Sequence, residues 1–133
     1  MKKTTMLFLR FSLSASYLSA VADRFGLWGA PGTEGVFWGD FQSFNAYTQT
    51  LNPFLPEATI LPLSWLVTIL EIVLGVFLVF NIKPKATGIV SAGLLSLFAI
   101  AMMTTLGFKA PLDYSVFTAC AASLVIANFR SEK

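Results

Sequence analysis

Four apolar runs, each long enough to cross a lipid bilayer, restrict the fold of this chain more than any other feature. They cover about residues 5–25, 60–80, 86–106 and 112–129, each near the ~20 residues that a hydrocarbon core requires. In that solvent every backbone N–H and C=O must be satisfied within the protein, so such runs become helices. Only 12% of the residues are charged, against about 25% in an average soluble domain. The expected fold is all-α, an integral membrane four-helix bundle forming one domain over residues 1–133. Turn signals separate the runs: "NIKPKA" lies between the second and third and "GFKAPLD" between the third and fourth. Pro62 and Pro84 suit the first turns of their helices, where a missing N–H costs little.

The basic residues set the expected orientation. Lys2 and Lys3 precede the first run, Lys83 and Lys85 follow the second, and Arg130 and Lys133 follow the fourth. All six share one side if every run spans. The other side carries Glu34, Asp40, Glu57 and Asp113, with only Lys109 among its loop lysines. The positive-inside rule then puts both termini in the cytoplasm. A cleavable signal ending at Ala20-Val21-Ala22 is the rival reading of the first run. Arg10 interrupts the apolar core that such a signal needs, so the run is read as a retained span.

The long external connection, residues 26–59, has its own pattern. Phe37, Phe41, Phe44, Thr48 and Leu51 recur at helical spacing, with Asp40, Gln42, Asn45 and Gln49 on other faces. This predicts a short amphipathic helix within residues 36–51, on the outer membrane surface or capping the bundle. The alternative is an ordered loop anchored by interfacial tryptophans, Trp28 and Trp38.

Composition excludes several chemistries. With no histidine, bis-histidine haem ligation and histidine-containing zinc sites are ruled out, and no haem or metal is expected. The single cysteine, Cys120, forms no disulfide within one chain and no Cys-x-x-Cys pair, and it reads as a packing residue in "TACAAS". A net charge of +2 without a basic patch gives no reason to expect nucleic acid. There is no Gly-rich dinucleotide fingerprint and no P-loop. Any electrons would travel on a bound organic cofactor or through another subunit.

Chemistry is concentrated in a few polar residues inside the spans. Glu71 stands in "WLVTILEIVLGVFLVF", which has no other charge. A lone carboxylate in hydrocarbon is costly, and one paired with a guanidinium far less so. Arg10 is the expected partner, because counting from the cytoplasmic ends at about 1.5 Å per residue puts the two at similar depth. Ser64, Thr68, Glu71, Gly75 and Leu78 form one stripe of the second span, and Arg10, Ser14, Tyr17, Val21 and Arg24 one stripe of the first. Both stripes should face the protein interior. Ser12, Ser16, Ser19 and Asp23 run beside the latter. Glu71, Arg10, Tyr17, Ser14 and Thr68 are thus the candidates for ligand binding or proton relay. The other reading of Arg10–Glu71 is a helix clamp without chemistry. Asp23 and Arg24 read as a solvated interfacial pair. Asp113 is expected to cap the fourth helix, and Gly88, Ala92 and Ser96 to let the third pack closely.

The order of these features resembles the DoxX family, small four-helix bacterial membrane proteins. It rests on an arginine early in the first span, "ADRFGLWG" at its end, "WGDFQSFNAYTQTLNPFLP" outside, and Glu71 before "GVFLVFNIKPKATGIVSAGLLSLFAIAM". The resemblance implies a bacterial inner-membrane protein with Arg10, Asp23, Arg24 and Glu71 as its polar positions. It also implies a redox role in which a quinone-like ligand contacts Glu71 and Arg10. The alternative is a non-catalytic subunit or scaffold whose Arg10–Glu71 pair is structural only. Expected partners are membrane lipids, a soluble or membrane redox subunit, or a second copy of the chain.

Overall fold

The computed structural model describes residues 1–130, so the charge expected at Lys133 lies outside the described residues. The chain folds into helices, with no strand among the described residues. They are α1 (Lys3–Arg24), α2 (Phe41–Leu51), α3 (Glu57–Phe80), α4 (Pro84–Leu106), α5 (Lys109–Asp113) and α6 (Val116–Asn128). Residues 16–73 make one compact unit, and residues 1–15 with those from Leu74 onward make a second. Helices α1 and α3 each contribute one end to either unit.

Three helices, α1, α3 and α4, are long and apolar enough to cross a membrane. Their 22, 24 and 23 residues give lengths of about 33–36 Å at the helical rise, against a hydrocarbon core of about 30 Å. The expected fourth span is not one helix. Residues 112–129 are divided between α5 and α6, because Ser115 takes a left-handed backbone (φ 54°, ψ 34°) just after Tyr114. The Ser115 amide bonds Leu112 O at 3.1 Å, which closes α5 with a tight turn. Helix α6 then has 13 residues, about 20 Å, too short to span alone. Hydropathy sums side-chain transfer and does not register one residue's backbone geometry. Asp113 is also not a cap of the last helix. It ends α5 and accepts from Lys109 Nζ at 2.7 Å, while Ser115 precedes α6 without a side-chain cap.

The amphipathic segment does contain a helix, α2. Asp40 is its N-cap rather than a face residue, accepting the Ser43 N–H at 2.7 Å. Gly39, at φ 79°, turns the chain immediately before it. The face that α2 buries is Phe44, Thr48 and Leu51. Pro84 begins α4 as expected. Pro62, by contrast, is inside α3, because that helix starts earlier, at Glu57. There the ring removes one helical hydrogen bond, and Thr59 reinforces the new start with amide and hydroxyl bonds to Pro56 O at 2.9 and 2.7 Å.

In the second unit α4 and α6 pack through small residues. A Cβ at Gly88 would lie 2.6 Å from both Ala127 N and Ser123 O, so only glycine permits this approach. The Ser91 and Ser123 hydroxyls bond each other at 2.7 Å inside the contact, both fully buried. Cys120 lies beside it, 3.3 Å from Ser96 Oγ and 3.5 Å from Ala92 O.

Candidate functional site

Both polar stripes are buried. On α1 these are Arg10, Ser14, Tyr17, Val21 and Arg24, and on α3 Ser64, Thr68, Glu71, Gly75 and Leu78. The flanking Ser12, Ser16 and Ser19 are on an exposed face, whereas Asp23 is buried.

The ion pair is formed by a different arginine from the expected one. Arg24 Nη1 contacts Glu71 Oε2, with the arginine side chain 1% exposed and the glutamate 7%. The same Nη1 donates to Thr68 Oγ1 at 3.0 Å, and Thr68 in turn donates to Ser64 O at 2.7 Å. Ser64 Oγ donates to Asn45 Oδ1 of α2 at 2.8 Å, so one polar file joins three helices. Arg24 is therefore not part of a solvated interfacial pair. A guanidinium needs neutralising in such surroundings, and Glu71 is the carboxylate that reaches it.

Arg10 has another task. Its Nε and Nη2 donate to Leu78 O and Val79 O, each at 2.8 Å, and Ser14 Oγ donates to Gly75 O at 2.7 Å. The Leu78 and Val79 carbonyls are among the last four of α3, which have no intrahelical donor to complete them and carry the negative end of the helix dipole, whereas Gly75 O lies one turn earlier. Counting from the helix ends misplaced Arg10, because it assumed that α1 and α3 begin and end at one level. The Arg10 and Ser14 contacts set an antiparallel register that puts Arg10 opposite the end of α3, beyond Glu71.

Aromatic rings enclose the Arg24–Glu71 pair. The guanidinium carbon lies 3.7 Å from the Phe44 ring centroid and 5.2 Å from that of Trp38. Such faces attract a cation through the ring quadrupole. Trp38 and Phe44 meet edge to face at 5.0 Å, and Phe41 stacks on Trp65 of α3 at 4.2 Å. The apolar side of α2 is thus turned onto Arg24 of α1 and Trp65 of α3. Asp23 fixes the approach to α2. Its carboxylate accepts three successive amides, Phe37 at 3.0 Å, Trp38 at 2.8 Å and Gly39 at 3.0 Å. Trp28 remains exposed, its indole donating to Ser19 O and Oγ at 3.1 Å.

The sequence groups Ser64, Thr68 and Glu71 on one stripe but does not join Arg24 to them, and it does not mark Trp38, Phe44 and Asn45 as their neighbours. Helical spacing marked Phe44 as apolar-face. Nothing in the sequence tied it to Arg24. Among the described residues no cluster of candidate metal ligands occurs. An open depression of about 430 Å³ is lined by Lys83, Pro84, Lys85, Ala86 and Ile89, none of them a candidate site residue.

Apolar helices of spanning length, with charged residues buried among them, define a multi-pass membrane protein. A family model described as methylamine utilisation protein MauE matches residues 3–113 of the 133, so the chain belongs to that family. This corrects the resemblance to DoxX, which is a different family. The match takes in Arg10, Asp23, Arg24 and Glu71 and ends at Asp113, before α6. No curated protein and no solved structure gives a significant match.

Proposed function

We propose that this chain is a membrane component of a redox system for amine utilisation, and that it acts there as a scaffold. The family description, methylamine utilisation, supports the setting. The observation that carries the scaffold role is the Arg24–Glu71 pair. It is closed over by Phe44 and Trp38 and connected through Thr68, Ser64 and Asn45 to three helices. Such a pair fixes one arrangement of α1, α2 and α3 against alternatives. The scaffold lies in the bacterial inner membrane with both termini in the cytoplasm, as the basic residues beside the spans favour. In this reading α5 and α6 together make a fourth crossing, broken at Ser115. Lipids surround it, and a redox subunit or a second copy of the chain docks on it.

A second reading, binding of a quinone-like ligand, is favoured by one observation. Arg24 Nε is buried without a hydrogen-bond partner among the described residues, and a ligand carbonyl would satisfy it. One experiment separates the two. An apolar replacement of the pair, Arg24→Met with Glu71→Leu, should keep growth on methylamine in a complemented deletion strain, since well-packed apolar groups replace a structural pair with little loss. Loss of growth with normal protein levels would favour the ligand reading. Growth of the deletion strain on methylamine at the normal rate would remove the proposed setting altogether. A reporter fused after Arg130 tests the fourth crossing, which fails if the reporter is active only outside the cytoplasm.

A further inference from the structure

Asp23 and Arg24 are adjacent in sequence and engage the same short segment from opposite sides. Asp23 holds the amides of residues 37–39 with both carboxylate oxygens. Arg24 lies against the rings that this segment delivers, Trp38 within it and Phe44 one helical turn into α2. Three successive amides converging on one carboxylate form a strong, localised anion nest. Between Phe25 and Asp40 the chain has only local turns, and most of its residues are exposed. The three amide bonds to Asp23 tie residues 37–39 to the end of α1, 14 to 16 residues back along the chain. Gly39 lets the segment fold closely on itself, since a Cβ there would meet Pro31 N at 2.4 Å. Arg24 Nε is buried and has no acceptor among the described residues. A buried unpaired donor raises the free energy of the closed state relative to one that lets an acceptor in.

We propose that residues 37–39 are a cover over the Arg24–Glu71 pair, latched by Asp23, and that its opening admits a small hydrogen-bond acceptor, water or a solute, to Arg24 Nε. The cover serves a scaffold and a ligand site alike, so it stands independently of the choice between the two readings above. Helix α2 stays in place during opening, held by the Phe41–Trp65 stack and the Ser64–Asn45 bond. The moving part is the stretch before Asp40.

The test uses the full chain in lipid nanodiscs, with amide exchange resolved to single residues. Glu71 is labelled with a water-soluble carbodiimide and an amine, and the label is read by peptide mass spectrometry. Asp23→Asn should speed exchange at Phe37, Trp38 and Gly39 by at least about tenfold, the equivalent of one charge-assisted hydrogen bond. Glu71 labelling should rise with it. Asp40→Asn, which alters the neighbouring cap of α2, should leave Glu71 labelling unchanged. Unchanged exchange and labelling in a folded Asp23→Asn protein would overturn the latch, and so would equal labelling in both variants. If Asp23→Asn does not fold, the wild-type protein decides the matter. Its three amides should show one common protection factor once each rate is divided by its intrinsic value, because one carboxylate holds them. Three unrelated protection factors, or Glu71 labelling as fast as in detergent-unfolded protein, would overturn the cover.

Discussion

Arg10 and Arg24 lie on one stripe of α1, both buried, and they satisfy their charge in different ways. Arg10 is 8% exposed and donates to two backbone carbonyls at the end of α3. Arg24 is 1% exposed and faces a carboxylate, a hydroxyl and two aromatic rings. The difference shows what each unit requires. A helix end inside a membrane protein presents carbonyls without donors, and any donor of suitable reach completes them. A carboxylate in the middle of α3 has no such neighbours. It needs a full counter-charge, and that charge needs further contacts of its own.

The largest expected effect tests this contrast. Arg24→Gln or Glu71→Gln leaves the other member buried and unpaired, a loss on the order of 3–5 kcal/mol in a well-buried case. Each should lower the thermal midpoint in detergent, and the double change should cost less than the sum of the two. Additive losses would show that the two do not pair directly. Arg10→Gln should cost less, about 2–3 kcal/mol, because it removes hydrogen bonds from a cation but strands no opposite charge. Its loss should be additive with that of Glu71→Gln, and strong coupling between them would restore the pairing inferred from the sequence. A third region, the contact of α4 with α6, carries no charge at all. Gly88→Ala there pushes a methyl against Ala127 N and Ser123 O, an overpacking penalty of about 1–3 kcal/mol. An unchanged midpoint would mean that the two helices separate freely.

The smallest effect concerns the start of α2. The Ser43 hydroxyl, and then its N–H, hold the Asp40 carboxyl below its usual value of 3.8. A carboxyl lowered in the folded state stabilises fully above its unfolded pKa and loses that contribution as pH falls through the folded one. Amide exchange at Ser43 should therefore rise only in strong acid, below the ordinary carboxylate range. Asp40→Asn keeps a capping oxygen and should remove that pH dependence while leaving α2 formed. Acid-dependent exchange persisting in the Asn variant would assign it to another group.

Much of the architecture was legible along the chain. The spacing of Ser64, Thr68 and Glu71, and that of Arg10, Ser14 and Arg24, marked the buried faces correctly, because a single helix turns by a fixed angle per residue. The helix inside residues 36–51 is visible in its apolar period, although Asp40 caps it rather than lying on one of its faces. The break at Ser115 was not visible, since the run of apolar residues continues through it. The Asp23 nest was not visible either: its three donors are backbone amides, identical for every residue type except proline.

The sequence by itself therefore determined that this is a helical protein with spans of membrane length, and which side of α1 and α3 is buried. It also limited Glu71 to a cationic partner. Tertiary structure decided which cation. The register of α1 on α3 puts Arg10 at the end of α3, and the folding of residues 37–51 back onto α1 surrounds Arg24 with Trp38 and Phe44. The physical reason is that periodicity belongs to one helix and is local, whereas register and loop path depend on how whole surfaces fit. Glu71 has its partner because of that fit.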